Sequence, residues 1–203
     1  MRPKLWRFKW DVTTAAMIAV AIGINYAGKM YAELLQIPLW LDCIGTSLVS
    51  VCGGPVVGMI AGAATNIIYG LTATPISMIY AITSMAVAIV VGVMAHYGMF
   101  KSLKGSICVG LVAGIVCVLI STPLNINFWD GMTGNWWGDL VFSNSVATGM
   151  PLCLASAIDE IIIDIPDKVL VMMVVYRISK DFPESLYKVF QKGEVANETE
   201  NAQ

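Results

Sequence analysis

The side chains with chemical potential are few and concentrated. Asp159, Glu160, Asp164 and Asp167 fall within nine positions, Lys168 follows directly, and Asp42 stands alone far upstream. Ionised groups amid runs such as Ile161-Ile162-Ile163 are costly to leave in an apolar medium, so they face a partner, water or a cavity. Two readings stay open: ion pairing of Asp164 or Asp167 with Lys168 or Lys29, or a polar site opening to the outside. Carboxylates without a Ser, His or Arg set do not assemble a catalytic centre. The single histidine, His96, reads as a cap or snorkelling group at a helix end, and no phosphate loop, HExxH or GxSxG is present. The five cysteines (43, 52, 108, 117 and 153) lie scattered in apolar stretches and read as small buried hydrophobes. The chain is therefore expected to be no enzyme and to hold no cofactor and no metal.

A second group of residues is suited to binding. Trp129, Trp136 and Trp137 fall within nine residues, flanked by Asn127, Asp130, Asn135 and Asp139, and Trp40 lies two residues before Asp42. An interfacial belt is one explanation of these rings. The other is a flat heterocyclic ligand stacked on a ring and fixed by Asn and Asp. Asn66, at the end of a glycine-rich stretch, either pairs with a neighbouring helix or reads a ligand.

These groups must be positioned by apolar elements. Of 203 residues, 57% are hydrophobic and 13% charged, with a mean hydropathy of +0.73, against roughly 25% charged in a soluble domain. Between Lys29 and Lys101 the only charged side chains are Glu33 and Asp42, and after Lys104 the next is Asp130. Gaps of this kind accommodate segments of about 20 apolar residues that cross a hydrocarbon core. A net charge of −2, with no basic cluster interleaved with aromatics, excludes a nucleic-acid partner.

Punctuation divides the membrane domain, 11–182, into a bundle of six transmembrane helices. A first span runs from about Asp11 to Leu35, and a second begins near Leu41. Gly53-Gly54-Pro55 cuts the long apolar stretch 41–71 into two helices, with Pro55 in the first turn of the latter. A fourth helix follows Thr74-Pro75, and a fifth runs from about Gly105 to a stop at Pro123. Residues 125–149 read as a Trp-rich outer loop or re-entrant segment, and 161–179 as the last helix. The basic N-terminus, 1–10, holds Arg2, Lys4, Arg7 and Lys9; Lys101 and Lys104 lie between the fourth and fifth helices, and Arg177, Lys180, Lys188 and Lys192 follow the last. Six spans put all three groups on one side, so the positive-inside rule places both termini in the cytoplasm. The polar C-terminal tail, 183–203, is expected to be disordered from about Lys192.

Two faces of small residues complete the pattern. Gly54, Gly58, Gly62, Asn66 and Gly70 recur at every fourth position, as do Ala15, Ala19, Gly23 and Ala27. Such faces let helix backbones approach in lipid. The first reads as internal packing; the second fits either the bundle or another protein.

Three stretches then resemble a known family: Ile37-Pro-Leu-Trp-Leu-Asp-Cys-Ile-Gly-Thr46; Gly54-Pro-Val-Val-Gly58 through Asn66 to Gly70-Leu71; and Ile165-Pro-Asp-Lys168 before the last helix. Together they are similar to the substrate-binding S components of energy-coupling factor (ECF) transporters, the micronutrient importers of prokaryotes. The resemblance spans about residues 11–182. It implies a multi-pass protein of the plasma membrane that captures a vitamin-like small molecule from outside. It would dock on a transmembrane T component driven by two ATPase subunits. Ala15 and Ala19 match the family's short docking motif, and Gly23 extends that face. Nickel and cobalt are not implied, since the N-terminal histidine of those members is lacking. The expected substrate pocket, for an aromatic or heterocyclic nutrient, is Trp40, Asp42, Asn66, Tyr69, Trp136, Trp137 and Asp159. The competing readings are a membrane sensor input domain, which would need an output partner, and a small intramembrane enzyme centred on Asp159 to Asp167.

Overall fold

In the computed structural model, residues 5–6 and 10–181 are described, and every regular element among them is helical. The basic segment 1–10, apart from Leu5, Trp6 and Trp10, and the tail 183–203 lie outside the described residues. Asp11 starts α1 (Val12–Leu34) by accepting the Thr14 amide at 2.7 Å, which satisfies one of the free amides of a helix start. Helix α2 (Ile44–Gly53) turns sharply at Gly54, where φ is +88°, into α3 (Pro55–Thr72), whose first residue is the proline. A 3-10 turn at Pro75–Met78 leads to α4 (Ala81–His96), and Gly98 with φ +84° reverses the chain toward α5 (Leu103–Trp129). Helices α6 (Trp136–Ala147) and α7 (Leu152–Lys180) complete the described chain. By length and composition α1, α3 and α5 can cross a membrane, and α2 and α4 are shorter apolar helices.

The structure corrects three sequence expectations. Pro123 does not stop the fifth helix: α5 continues through it to Trp129. A proline cancels one intrahelical bond, but leaving the helix in apolar surroundings would strand more backbone groups than that. The stretch 125–149 is not all loop, because α5 runs on to Trp129 and α6 occupies half of it. Asn135 nucleates that helix, its side-chain oxygen accepting the Trp137 and Gly138 amides at 3.1 and 3.4 Å. The last helix begins at Leu152, nine residues before the expected Ile161, and Pro166 lies within it. The acidic cluster consequently sits inside one helix, on its buried stripe, rather than at a helix entrance.

Close helix packing rests on small side chains, as the glycine spacing of α3 predicts. A Cβ added at Gly62 would lie 3.0 Å from the Ser84 Cβ and 3.2 Å from Thr46. On α5, a Cβ at Gly110 would lie 2.6 Å from the Val169 Cα, so α5 and α7 cross almost backbone to backbone. Asn25, fully buried on α1, accepts the Gly45 and Thr46 amides at 2.7 and 3.2 Å and donates to the hydroxyls of Thr46 and Thr65. It thereby caps α2 from another helix, where α2's own Cys43 offers no side-chain cap. Beneath this lattice, Val87, Val91, Val109, Val171, Met172 and Val175 form the apolar centre.

Candidate functional site

At one end of the bundle the helices part around a cavity of about 300 Å³. Its wall is assembled from the last turns of α1, the segment 36–43, the 3-10 turn, the start of α4, the middle of α5, the turn 133–136 and α7. Glu160, Asp164 and Lys168 all reach it from α7 because successive four-residue steps repeat one helix face. Lys29 and Glu33 do the same from α1.

Two lysines dominate its electrostatics. Lys168 Nζ lies 2.6 Å from Asp167, 3.3 Å from Asp164 and 3.6 Å from Asp42. The other oxygen of Asp167 accepts the Trp40 and Leu41 amides at 3.1 and 2.9 Å, which pins the segment before α2 to α7. That anchoring supports the left-handed backbone of Leu41, φ +53°. Asp42, Cys43 and Asp167 bring three ligand-type atoms within 4.8 Å of one another, but the Lys168 ammonium already supplies the cation on Asp42 and Asp167. Lys29 is held otherwise. It is 6% exposed, donates to Ser77 Oγ at 2.7 Å and stands 4.8 Å from the Tyr69 ring centre and 5.7 Å from that of Trp40. Among the described residues no carboxylate forms an ion pair with it. Of the pairings left open by the sequence, Asp164 and Asp167 therefore belong to Lys168 and none belongs to Lys29.

Polar chains brace both sides. The Ser77 hydroxyl donates to Asn66 Oδ1 at 3.2 Å, and Asn66 Nδ2 donates to Ser84 Oγ at 2.7 Å and to the Gly62 carbonyl. Tyr80, one turn beyond Ser77, donates to Asn125 Oδ1, and the Asn125 amide donates to Glu160. Over the mouth, Asp139 gathers the Thr133 and Gly134 amides, and the Trp137 indole donates to the Gln36 carbonyl at 2.6 Å.

Of the residues expected to bind substrate, Trp40, Asp42 and Trp136 line the cavity. Asn66 and Tyr69 stand behind its wall as braces: Asn66 pairs with a neighbouring helix, and Tyr69 donates to Glu33 at 2.6 Å. Trp137 is outside the lining; it spends its polar atom on the carbonyl of Gln36, which lines the cavity, and packs edge-on against Trp136. Asp159 is fully buried beside Gly138 and does not reach the cavity, because one residue's rotation along α7 separates it from Glu160. Lys29, Ser77, Tyr80, Glu160, Asp164 and Lys168 were not singled out as binding residues. Spacing carried the signal for the last three, which share one face once α7 is extended to Leu152. On α1, Ala15 is half-buried while Ala19 and Gly23 are exposed, and a Cβ at Gly23 would meet open space.

A second cavity, of about 310 Å³, lies at the opposite end among the α2–α3 turn, the α4–α5 connection and the end of α7. Its cations, Lys101 and Lys180, are exposed, and among the described residues no carboxylate lines it. Compared with protein-family models, with curated proteins and with solved structures, the chain matches none.

Proposed function

We propose that this chain is the substrate-binding subunit of an ECF-type micronutrient importer, without catalytic activity of its own. The observation that carries the reading is the first cavity: buried charges braced by hydrogen bonds, aromatic rings at Trp40 and Trp136, and a cap over the mouth. Ligand sites combine an enclosing surface with a few fixed polar groups in this manner. In this reading α1–α5 and α7 form a six-element membrane domain in the plasma membrane of a prokaryote, with α6 capping the outer end. Helix α2, with ten residues, reaches only about 15 Å, and the segment 36–43 completes its path across the outer half. Lys101, Lys104, Arg177 and Lys180 mark the cytoplasmic end, where both termini emerge.

Transport then needs no chemistry in this chain. A T component and two ATPase subunits would reorient the loaded bundle, docking on the exposed α1 face at Ala15, Ala19 and Gly23. Native mass spectrometry of the full chain released from detergent tests the reading directly. A stoichiometric co-purified small molecule that quenches tryptophan fluorescence on rebinding is the expected result. No retained species and no response across a broad vitamin panel would sink it.

A further inference from the structure

The charged groups of the cavity sort into two poles joined by one short turn. At one pole the Lys29 ammonium has three N–H donors and, among the described residues, a single acceptor, Ser77. The side chain is almost wholly buried, so its remaining donors have the cavity to turn to. At the other pole Glu160, beside Asp164, accepts from the Asn125 amide, and Tyr80 reaches it only through Asn125, whose oxygen takes the Tyr80 hydroxyl. Ser77 touches the first pole and Tyr80 reaches the second, so the turn between them sets their separation.

Among the described residues neither Lys29 nor Glu160 forms an ion pair, although Glu33 and Asp42 lie near enough to Lys29 to act on its charge and Asp164 is paired with Lys168. The Lys168 cluster gathers three carboxylates around one cation, and Glu160 adds a fourth nearby. A purely anionic ligand would meet that excess of carboxylate, and a purely cationic one would face Lys29. Both poles are satisfied by a molecule with an acid at one end and nitrogen donors at the other. We infer that the cavity takes an amphoteric aromatic or heterocyclic molecule. Its carboxylate pairs with Lys29 and Ser77, its ring lies by Trp40, and its amine or ring N–H groups face Glu160. A cavity of about 300 Å³ limits it to a compact molecule, at the small end of ligand sites.

This assignment rests on the first cavity being a ligand site, and the experiment separates the two. The full chain in detergent is dialysed against an equimolar library of small aromatic heterocycles in four forms: carboxylate with amine, carboxylate alone, amine alone, and neutral. Retention is read by mass spectrometry beside that of species co-purified from the host. The expected result is retention of the forms with both groups. Lys29→Met lowers it about 10- to 100-fold, the worth of a charge-assisted contact, and Lys29→Arg restores part of it. Glu160→Gln lowers retention of the forms with both groups toward the weak level of the carboxylate-only ones. Thermal melting confirms that each variant is folded, and Ser77→Ala, which removes the lysine's acceptor, serves as a second route to the same pole. Retention of amine-only or neutral forms, or retention indifferent to Lys29→Met and Ser77→Ala, overturns the assignment and leaves the cavity a ligand site. If wild-type protein retains nothing from the library or the host, the binding-subunit reading falls, and this assignment with it.

Discussion

Lys168 and Lys29 are both more than nine-tenths buried and line the same cavity, yet their surroundings are opposite. Three carboxylates lie within 3.6 Å of Lys168, whereas one serine hydroxyl and the faces of two rings receive Lys29. The first lysine ties the segment before α2 to α7 through Asp42 and Asp167, so its charge is consumed by architecture. The second is hydrogen-bonded by a neutral group, with Asp42 and Glu33 near but outside ion-pair distance, and in the proposed reading its charge serves the ligand. Burial alone does not distinguish a structural ion from a recognising one; the tally of opposite charge does.

The comparison breaks most readily at Lys168. Lys168→Met leaves Asp42, Asp164 and Asp167 crowded without a cation. Orphaning buried charges costs about 3–5 kcal/mol, so a large fall in the unfolding midpoint is expected in detergent. A midpoint within a degree or two of wild type would show that the cluster is not holding the segment 36–43. Lys29→Met should behave otherwise, since it removes a buried cation that no carboxylate among the described residues meets at ion-pair distance. The expected change lies between none and a gain of about 1 kcal/mol, measured by the same melt. A loss as large as that of Lys168→Met would make Lys29 a second structural ion and erase the distinction.

Much of the bundle was legible before its coordinates. Pro55 opening α3, the glycine face of α3 and the Asp11 start of α1 follow from local rules that the surroundings reinforce. The errors fell where a local breaker met a larger constraint. Pro123 read as a stop, yet it lies inside a long helix, because α5 gains more by staying packed against α7 along Gly110 than it loses at one amide. The helix α6 was concealed by its polar composition, although Asn135 and Asp139 are placed as a cap and a first-turn acid. That error carried into the site: with α7 starting late, the shared face of Glu160, Asp164 and Lys168 could not be drawn. Lys29 was visible as a rare cation in an apolar span, but its want of a carboxylate depends on which groups the fold brings near, and spacing along one helix does not contain that.

The smallest effect on stability belongs to the other side of α1. Lys29 faces the cavity, whereas Gly23 is exposed with open space where a Cβ would stand. Gly23→Leu should therefore change the unfolding free energy by less than about 1 kcal/mol, with improved helix propensity as its main contribution. It should also leave retention of small molecules at wild-type level. If α1 seats a partner through close backbone approach, a leucine there holds the surfaces apart and uptake in intact cells is lost although the binding subunit is sound. Uptake that survives Gly23→Leu together with Ala19→Leu would remove the docking face from α1. Loss of ligand retention in the same variants would instead show that the two faces of α1 are coupled, and that the division between a recognising side and a docking side is wrong.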